Sequence, residues 1–488
     1  MPVCFAGAVD VGTSSIKFIA YDEEFKPIRV WAARSPLLVS GDTAIQDPFK
    51  LSDIFLEFLA KGAREGCRTI GVSVYRGSVL AWSVEGKPLT SIVTWMDRRT
   101  LRVYDKLPLP AKLASKLPLI GNVFRPGSPA LVFKMLYSDP LLKSSIARGT
   151  AFLWTLDSYL AYLVSRRFVA DVAQAALTGI INPYTLEPLG IAIRLLGLKG
   201  LRLPELLDHR GSIGGFMGVK VGPLIADQQA ASIALGCLRE DCIKVTLGTG
   251  VFVDAYISNR APRRLGGGLI PVILFKDGRL VSYGVEGFAA GVGLVYETLA
   301  KAVGGFERIE ELASNEDAKP VLFIPVLAGL RTPYMPYLQG AALGLQPGFS
   351  PASLVRGLIA GTAMLVKHVV SLVEAETGSR RSIIRLGGGL SRLRPLVSAI
   401  ASAMGRSVER SLDHNDSARG AALLAAYSEG LISRRTLLNP PIYTSRVEPE
   451  KQIQNLLGDE EAWLKILGVL GSRRFSRLLE RALGRQRS

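Results

Sequence analysis

The chain has 488 residues, 48% hydrophobic and 21% charged, a balance that excludes a disordered protein and allows two domains with large cores. Lysine and arginine outnumber aspartate and glutamate by 59 to 42, for a formal net charge of +17. Such a surplus suits a protein that binds a polyanionic nucleotide. The basic residues are scattered, without an interleaved aromatic stripe, so no nucleic acid is expected as a partner.

The chain contains four cysteines: Cys4, Cys67, Cys237 and Cys242. They form no C-x-x-C pair and no histidine lies near them in sequence, so neither a zinc site nor a disulfide framework is predicted. We interpret them as buried thiols of a cytoplasmic protein. The most apolar helical stretch, 151–164, is too short to cross a bilayer and contains Asp157, so no membrane span is expected.

An early segment has the pattern of a phosphate-binding hairpin. The apolar run 5–9 predicts a buried strand and 18–21 predicts a second strand, with a polar turn between them. Three small residues of the turn are Gly12, Thr13 and Ser14. Their N–H groups and hydroxyls are suited to an anion, with Lys17 as a positive end, and Asp10 is suited to a metal-bound phosphate. An ordinary hairpin, in which Asp and Gly satisfy turn geometry, explains these residues equally well by themselves.

A second hairpin of the same kind begins near residue 243. The runs 243–247 and 251–255 predict two strands. The turn between them is Gly248, Thr249 and Gly250. Two such hairpins far apart in the chain indicate a duplicated domain. Strands alternate with helical patterns along the sequence, which is typical of an α/β architecture.

A third segment, 223–231, places Asp227 after a predicted strand and before a helix of small residues. A carboxylate in that position can take a proton from a substrate hydroxyl, while the amides of Gln228 and Gln229 can hold other hydroxyls. An N-cap role for Asp227 is the alternative, although it gives no reason for the two amides. The sequence has no Walker loop and no G-x-G-x-x-G after its first strand, so those nucleotide-binding folds are disfavoured.

These three segments and three others occur in the order found in one protein family. The six are Asp10–Lys17, Trp95–Arg99, Asp227–Ala230, Thr246–Gly250, Gly387–Gly389 and Arg419–Ala422. Over residues 3 to 435 the chain resembles the FGGY carbohydrate kinases. The resemblance implies two actin-like (ribonuclease H-like) α/β domains, with ATP and Mg²⁺ in the cleft between them, and transfer of the γ-phosphoryl group to a sugar or polyol hydroxyl. We expect domains at 1–235 and 236–435, then a linker and basic helix at 436–488.

The resemblance also implies roles for individual residues. Asp10 matches the metal-site aspartate, Asp227 the general base, and Lys17 a basic residue near the transferred phosphate. The two phosphate loops and the adenosine loop are matched, in that order, by Gly12, Thr13 and Ser14, by Gly248, Thr249 and Gly250, and by Gly387, Gly388 and Gly389. Phosphoryl transfer depends on positioning and charge neutralisation more than on covalent chemistry, which agrees with these residue types.

The acceptor side is most similar to the glycerol kinases of that family, so glycerol is the first acceptor expected. The shared substrate-binding residues are Arg76, Trp95, Asp227 and Gln228. Gly77 stands where those kinases have a glutamate that binds substrate hydroxyls, and their substrate tyrosine is missing near 126–128. Both losses enlarge the pocket and suit a longer polyol or ketose. A pentulose kinase acting on xylulose or ribulose is therefore the alternative.

Departures from the family pattern also reach the nucleotide side and the hinge. They are Pro271 for Thr, Gln339 for Arg, Ser398 for Gln, Ser402 for Asp, and the segment Pro333–Pro336, which lacks the usual Trp-Asp. Because of these departures, a non-catalytic actin-like protein that binds nucleotide and acts as a scaffold is the alternative from another class. The intact Asp10 and Asp227 argue for the enzyme.

Several segments carry further expectations. The Pro-rich segment 107–129 is predicted to be a loop-rich insertion near the substrate. Arg99 is assigned either to structure or to substrate, and Glu286 to a hinge or inter-domain contact. The basic tail 461–488 is predicted to be a terminal helix packed on the body, with contact to an acidic partner or membrane surface as the alternative. A homodimer is left open.

Overall fold

Apolar, β-branched runs alternate with amphipathic segments and form an α/β structure. The computed structural model describes residues 3–117, 120–260, 262, 265–315, 317–319, 321–327, 329–454 and 457–483. The strands are β1 Ala6–Val11, β2 Ser15–Tyr21, β3 Pro27–Arg34, β4 Leu37–Ser40, β5 Thr43–Gln46, β6 Thr69–Val74, β7 Val79–Ser83, β8 Ile92–Val93, β9 Ala151–Thr155, β10 Val169–Asp171, β11 Glu205–Leu207, β12 Gly214–Phe216, β13 Val219–Ala226, β14 Cys242–Leu247, β15 Val251–Ser258, β16 Ile270–Asp277, β17 Leu280–Ala289, β18 Leu322–Ile324, β19 Ala341–Leu343, β20 Ile383–Gly387, β21 Val408–Ser411 and β22 Thr444–Val447.

Helices connect and cover these strands. The α-helices are α1 Pro48–Arg64, α2 Thr100–Asp105, α3 Leu109–Ala114, α4 Pro129–Tyr137, α5 Pro140–Ala147, α6 Leu156–Ser165, α7 Val172–Leu177, α8 Gly190–Leu196, α9 Asp227–Ala234, α10 Val292–Val303, α11 Phe306–Ala313, α12 Pro351–Thr377, α13 Arg394–Met404, α14 Asp416–Ser428, α15 Arg434–Leu438, α16 Lys451–Gln454, α17 Glu460–Leu470 and α18 Arg473–Ala482. Two 3-10 helices are Gly121–Phe124 and Gly389–Arg392.

The first large sheet has six strands in the order β12-β13-β6-β1-β2-β3. β1 pairs antiparallel with β2 and parallel with β6, which pairs parallel with β13. β1 lies inside the sheet with both faces covered, which explains why its sequence is a continuous apolar run up to Asp10. The carboxyl ends of β1, β6 and β13 therefore meet at one edge of the sheet.

The second large sheet has seven strands in the order β16-β17-β15-β14-β20-β21-β22. β14 pairs antiparallel with β15 and parallel with β20, which pairs parallel with β21. This repeats the pairing of β1 with β2 and β6, so the predicted duplication is confirmed. The carboxyl ends of β14 and β20 meet at the edge that faces the first sheet across a cleft.

A smaller five-stranded sheet, β4-β5-β8-β7-β9, belongs to the first half of the chain. The loop that follows β8 and the start of α2 form part of one wall of the cleft. The segment 107–129, predicted to be loop-rich, contains α3 and a 3-10 helix, because Pro108 and Pro110 occupy positions that start a helix instead of breaking one. Pro118 and Leu119 of that segment lie outside the described residues.

A shared core joins the two halves of the chain. Ile225 and Ile233 pack in one hydrophobic cluster with Ala418 and Ala421 of α14. The helices approach closely because glycine lies at the crossing, where a Cβ on Gly420 would stand 1.8 Å from the carbonyl oxygen of Ala230. The boundaries drawn at 235 and 435 stay a prediction.

The end of the chain differs in part from expectation. Part of the segment 436–488, predicted to be a linker and basic helix, is a strand: β22 pairs antiparallel with β21 and extends the second sheet. The predicted terminal helix is present as α17 and α18. Trp463 and Leu467 of α17 are buried in the core of the second half, which holds the tail on the body. Residues 484–488 lie outside the described residues.

α12 is the one helix, among those described, that is long and apolar enough to cross a membrane by length and composition. In its most apolar window 67% of residues are buried inside the protein. Val355, Leu358 and Val369 pack into the core of the second half. α12 is thus a core helix of this fold.

The interpretation of the cysteines as thiols is wrong. Cys4 pairs with Cys67 and Cys237 pairs with Cys242 in two disulfides. The first joins the chain ahead of β1 to the chain ahead of β6, two strands that lie side by side, so its residues are close in space although 63 positions apart. Sequence spacing carried no signal of that proximity.

Candidate active site

The cleft between the two large sheets contains a cavity of about 530 Å³. Its walls come from both halves of the chain and include the turns of both glycine hairpins, the start of α9, the loop after β8, the start of α2 and the segment just before α4. Strand register explains the convergence. Val11, Val74 and Ala226 are paired neighbours at the ends of β1, β6 and β13, so the residues that follow each strand emerge together.

The two hairpin turns face each other across the cleft. In the first turn the Gly12 N–H donates to the Ser15 carbonyl at 2.9 Å, and a Cβ at Gly12 would lie 2.8 Å from that oxygen. In the second, the Gly248 N–H donates to the Gly250 carbonyl at 2.9 Å. The hydroxyls of Ser14 and Thr249 are 3.4 Å apart. Small polar groups from both turns thus surround one space.

Asp10 and Lys17 occupy opposite strands of the first hairpin as directly paired residues. Burial raises the pKa of Asp10 from its usual 3.8 to about 6, against the lowering effects of Ser73 and Lys17. Lys17 donates to the Asn415 side chain at 2.9 Å, which ties the hairpin to the start of α14. A desolvated carboxylate with an ammonium opposite it is a site that a cation and a phosphate together would satisfy.

The three glycines after β20 do not all face the cavity. Gly388 and Gly389 line it, and Gly388 has a φ of +85° that favours glycine. Gly387 ends the strand and packs on the helix behind it, where a Cβ would lie 2.3 Å from an Asp416 carboxylate oxygen. Gly387 therefore shapes the loop, and Gly388 and Gly389 offer backbone to a ligand.

Asp227 is the first residue of α9, and Ala226 is the N-cap, so the N-cap interpretation of Asp227 is wrong. Its Oδ1 lies 3.7 Å from Arg76 Nε, and both its oxygens accept hydrogen bonds from Gln228 at 2.8 and 3.0 Å. Burial raises the pKa of Asp227, and Arg76 opposes that rise. Asp227 is thereby a carboxylate more basic than usual, held in the cavity wall.

Glu286, predicted at a hinge or inter-domain contact, forms a contact between the two halves of the chain. Its Oε2 lies 2.5 Å from Nη2 of Arg76, and only 1% of its side chain is exposed. Burial raises the pKa of Glu286, and Arg76 opposes that rise. The pair holds Arg76 over the ring of Phe252, 5.4 Å from the centroid, beside Asp227.

Lys244 and Asp254, which support the site residue Gln228 from behind, were missed by sequence reasoning. Lys244 Nζ lies 2.5 Å from Asp254 Oδ2 and 2.7 Å from the Gln228 side-chain oxygen, and at most 1% of either charged side chain is exposed. The Gln228 amide is thus held between Lys244 and Asp227. A lysine in the middle of the apolar run 242–247 was the available signal, because a buried ammonium requires partners.

Trp95 and Gly77 shape the acceptor wall. Trp95 Nε1 donates to the Thr13 hydroxyl at 3.0 Å and its ring meets Phe252 edge-on at 6.2 Å. Gly77 has a φ of +75°, and a Cβ there would lie 3.2 Å from Trp95 Cβ. A side chain at this position would be strained, so position 77 presents no side chain to the cavity.

Arg98 and Arg99 have different environments. Arg99 forms a two-nitrogen ion pair with Asp97 at 2.7–3.0 Å, and Asp97 also accepts the Ala44 N–H, which makes Arg99 structural. Arg98 lines the cavity. Within the described part of the chain its side chain has no ion pair.

A buried network lies behind Asp227. His209 Nε2 and Asp171 Oδ1 are 2.8 Å apart, and Asp171 Oδ2 accepts the Ala226 N–H at 3.0 Å. Gln174, in the helix that Asp171 caps, donates to the Val74 carbonyl at 3.2 Å. The network therefore supports the chain just before Asp227 and just before Arg76.

Residues 5–217 match the N-terminal domain, and residues 244–429 the C-terminal domain, of the FGGY family of carbohydrate kinases. The chain belongs to this family. Glycerol kinase 5 of Danio rerio is 27% identical over 465 residues, 87% of each chain. This FGGY protein is a carbohydrate kinase, and ATP use follows from the family.

Solved structures agree with the fold. Glycerol kinase of Plasmodium falciparum with ADP superimposes with a TM-score of 0.78 at 19% identity, covering 99% of each chain. A ligand-bound xylulose kinase of Lactobacillus acidophilus gives 0.75 at 16% identity, covering 98% of each chain. The predicted two-domain actin-like fold is confirmed.

Proposed function

We propose that this FGGY kinase transfers the γ-phosphoryl group of ATP to a hydroxyl of a small polyol or sugar, with Asp227 as the general base. The observation that carries the proposal is the meeting of both glycine turns, through Ser14 and Thr249, in the cavity that also contains Asp227. The turns are suited to phosphates and Asp227 to a hydroxyl proton.

Each polar group then has a defined task. Asp227 takes the proton of the acceptor hydroxyl, and Arg76 orients Asp227. Gln228, held by Lys244, keeps the Asp227 carboxylate directed into the cavity. Trp95 forms an apolar wall and keeps the Thr13 hydroxyl in place. Closure of the cleft excludes water, so the acceptor hydroxyl reacts in its place.

The residues present fit Mg²⁺ as the accompanying metal ion. Among the described residues no group of three or more His, Cys, Asp or Glu is suited to a metal. Mg²⁺ is commonly held by one or two carboxylates together with substrate phosphates and water, and Asp10 is such a carboxylate beside the first phosphate turn. The ion would neutralise phosphate charge as transfer proceeds.

Two acceptors come first for testing. Glycerol is supported by relatives named glycerol kinase and by Arg76, Trp95, Asp227 and Gln228 in the wall. A pentulose such as xylulose or ribulose is supported by the absence of an acidic side chain at Gly77, which lines the cavity. ADP release should be measured across glycerol, erythritol, xylulose, ribulose, fuculose and gluconate. Nucleotide binding without ADP release on any of them would favour the scaffold role.

The decisive substitution is Asp227→Asn. We expect kcat to fall by about 10²–10⁴-fold, because general-base catalysis is lost while the amide keeps the size of the side chain. The circular dichroism spectrum should stay unchanged, and the exposed Asp105→Asn should retain full activity. Near wild-type turnover of Asp227→Asn would rule out its assignment as the base.

The remaining expectations stay proposals. We place the reaction in the cytoplasm on the basis of its ATP requirement. A homodimer and a partner for the basic helix α18 stay predictions.

A further inference from the structure

Two arginines of the cavity wall have no carboxylate partner among the described residues. Four acidic side chains line the cavity: Asp10, Asp97, Asp227 and Glu286. Asp227 and Glu286 both face Arg76, and Asp97 is paired with Arg99. Asp10 lies at the phosphate turn opposite Lys17. Arg98 and Arg331, which also line the cavity, have no carboxylate within ion-pair distance among the described residues.

Arg331 is the more unusual of the two. Its Nε is buried without a hydrogen-bond partner among the described residues, and its guanidinium lies 5.4 Å from the centroid of the Tyr334 ring. Burial lowers the pKa of Arg331 to about 10, and the charge of Arg125 contributes to the decrease. A desolvated guanidinium of this kind costs free energy unless an anion meets it.

Tyr334 and Arg125 complete the cluster. Arg125 lies 4.8 Å from the centroid of the same Tyr334 ring, so the ring contacts two guanidiniums. Arg125 donates to Ser115 and Asn122 and forms no ion pair among the described residues. The Tyr334 hydroxyl is buried without a partner in the described part of the chain, like Arg331 Nε. Two residues in ring contact, Arg331 and Tyr334, therefore each have a buried donor without a partner among the described residues.

The cluster lies on the acceptor side of the cleft. Besides Tyr334 and Arg125, the charged group that acts on Arg331 is Glu286, the partner of Arg76 beside Asp227. The backbone N–H of Thr332, the next residue, donates a hydrogen bond to the Phe288 carbonyl. The Phe288 ring stacks on Phe252 of the acceptor wall. The two phosphate turns take no part in these contacts.

We propose that the acceptor carries an anionic group, a carboxylate or a phosphate monoester, away from the hydroxyl that is phosphorylated, and that Arg331 and Tyr334 bind it. The inference rests on the proposed kinase function and specifies its substrate class. Guanidinium forks match the paired oxygens of both anions, and a phenol hydroxyl adds one further donor. Gly77, which lines the cavity without an acidic side chain, suits such an acceptor.

The chemistry of transfer is unchanged. The acceptor oxygen forms a bond to the γ-phosphorus, the bond from that phosphorus to the β–γ bridging oxygen breaks, and ADP leaves. The hydroxyl proton passes to Asp227. The anionic group takes no part in bond making and only positions the acceptor.

Matched acceptors test the inference. Initial rates of ADP release should be measured for glycerol, glycerate and glycerol 3-phosphate, and for sorbitol, gluconate and sorbitol 6-phosphate. We expect one anionic member to exceed its neutral counterpart in kcat/KM by at least about 10-fold, the scale of a charged hydrogen bond. Comparison within each set distinguishes carboxylate from phosphate.

Variants identify the residue responsible. Arg331→Met should lower the anionic-to-neutral ratio of kcat/KM by about 10-fold or more, chiefly through the KM of the acceptor and not that of ATP. Arg331→Lys should keep part of the ratio, because it keeps the charge. Arg102→Met, at an exposed arginine of α2, should leave the ratio unchanged.

The outcomes separate the inference from the kinase function. Phosphorylation of neutral acceptors at rates equal to or above both anionic ones would overturn the inference and leave the kinase function standing. ADP release from no acceptor would contradict the kinase function. In that case the inference is tested by calorimetric titration of gluconate and of sorbitol 6-phosphate into the protein with ADP. The inference would be overturned if neither ligand bound, or if both bound Arg331→Met as tightly as wild type.

Discussion

The buried carboxyl group of Asp10 lowers the stability of the folded protein when it is ionised. It ends a strand covered on both faces, and burial raises its pKa from 3.8 to about 6. A carboxyl group whose pKa is higher in the folded than in the unfolded protein lowers the free energy of unfolding when it is ionised. That cost is absent below about pH 4, grows as the pH rises towards 6, and is complete above it.

Asp10→Asn should therefore raise the free energy of unfolding at pH 8 by about 1–3 kcal/mol while abolishing phosphoryl transfer. The gain should disappear at pH 4, where Asp10 is protonated. Urea unfolding at both pH values measures it, with the exposed Asp53→Asn as the control. Equal stability of Asp10→Asn and wild type at pH 8 would contradict the account of Asp10 as a desolvated charge.

At the scale of elements, α9 and α14 determine where Asp227 stands. Asp227 begins α9, and α14 crosses α9 at Gly420 with backbone in contact. α14 also meets β6, where a Cβ on Gly71 would lie 2.0 Å from the Ala421 carbonyl oxygen. Small residues are thus required at these crossings because the backbones lie too close together for a larger side chain.

Gly420→Ala should destabilise the protein by about 1–3 kcal/mol, because the new methyl group would overlap the Ala230 carbonyl and separate the helices. It should also lower kcat by shifting the start of α9. Gly468→Ala is the matched control, since Gly468 lies in α17 with nothing within 4 Å of its added Cβ. That control should be neutral or slightly stabilising. Thermal unfolding and turnover measure both effects.

At the scale of the whole molecule, the first half of the chain does not complete its own core. Ala6, Ala8 and Ile19 of the first sheet pack in one cluster with Leu423 and Leu424 of α14. The two halves are thus held together by buried apolar side chains as well as by the chain that connects them. The cleft lies beside this shared cluster.

A fragment of residues 1–235 should fail to fold stably alone, because the face of the first sheet that α14 covers would be exposed. Co-expression with residues 236–488 should restore soluble material by supplying α14. Solubility and amide hydrogen exchange of the fragment measure the outcome. A protected, monomeric fragment would show that α14 is dispensable for the first half.

Local pattern determined the two hairpins, the α/β class and the three glycine and aspartate segments, because strand period, turn chemistry and motif order are properties of short stretches of sequence. The pairing of Cys4 with Cys67, the contacts of Lys244, and the meeting of Arg331 with Tyr334 and Arg125 depend on residues brought together by strand register and helix crossing. Only the tertiary structure decided these, since the desolvation and charge that define them arise from neighbours distant in sequence.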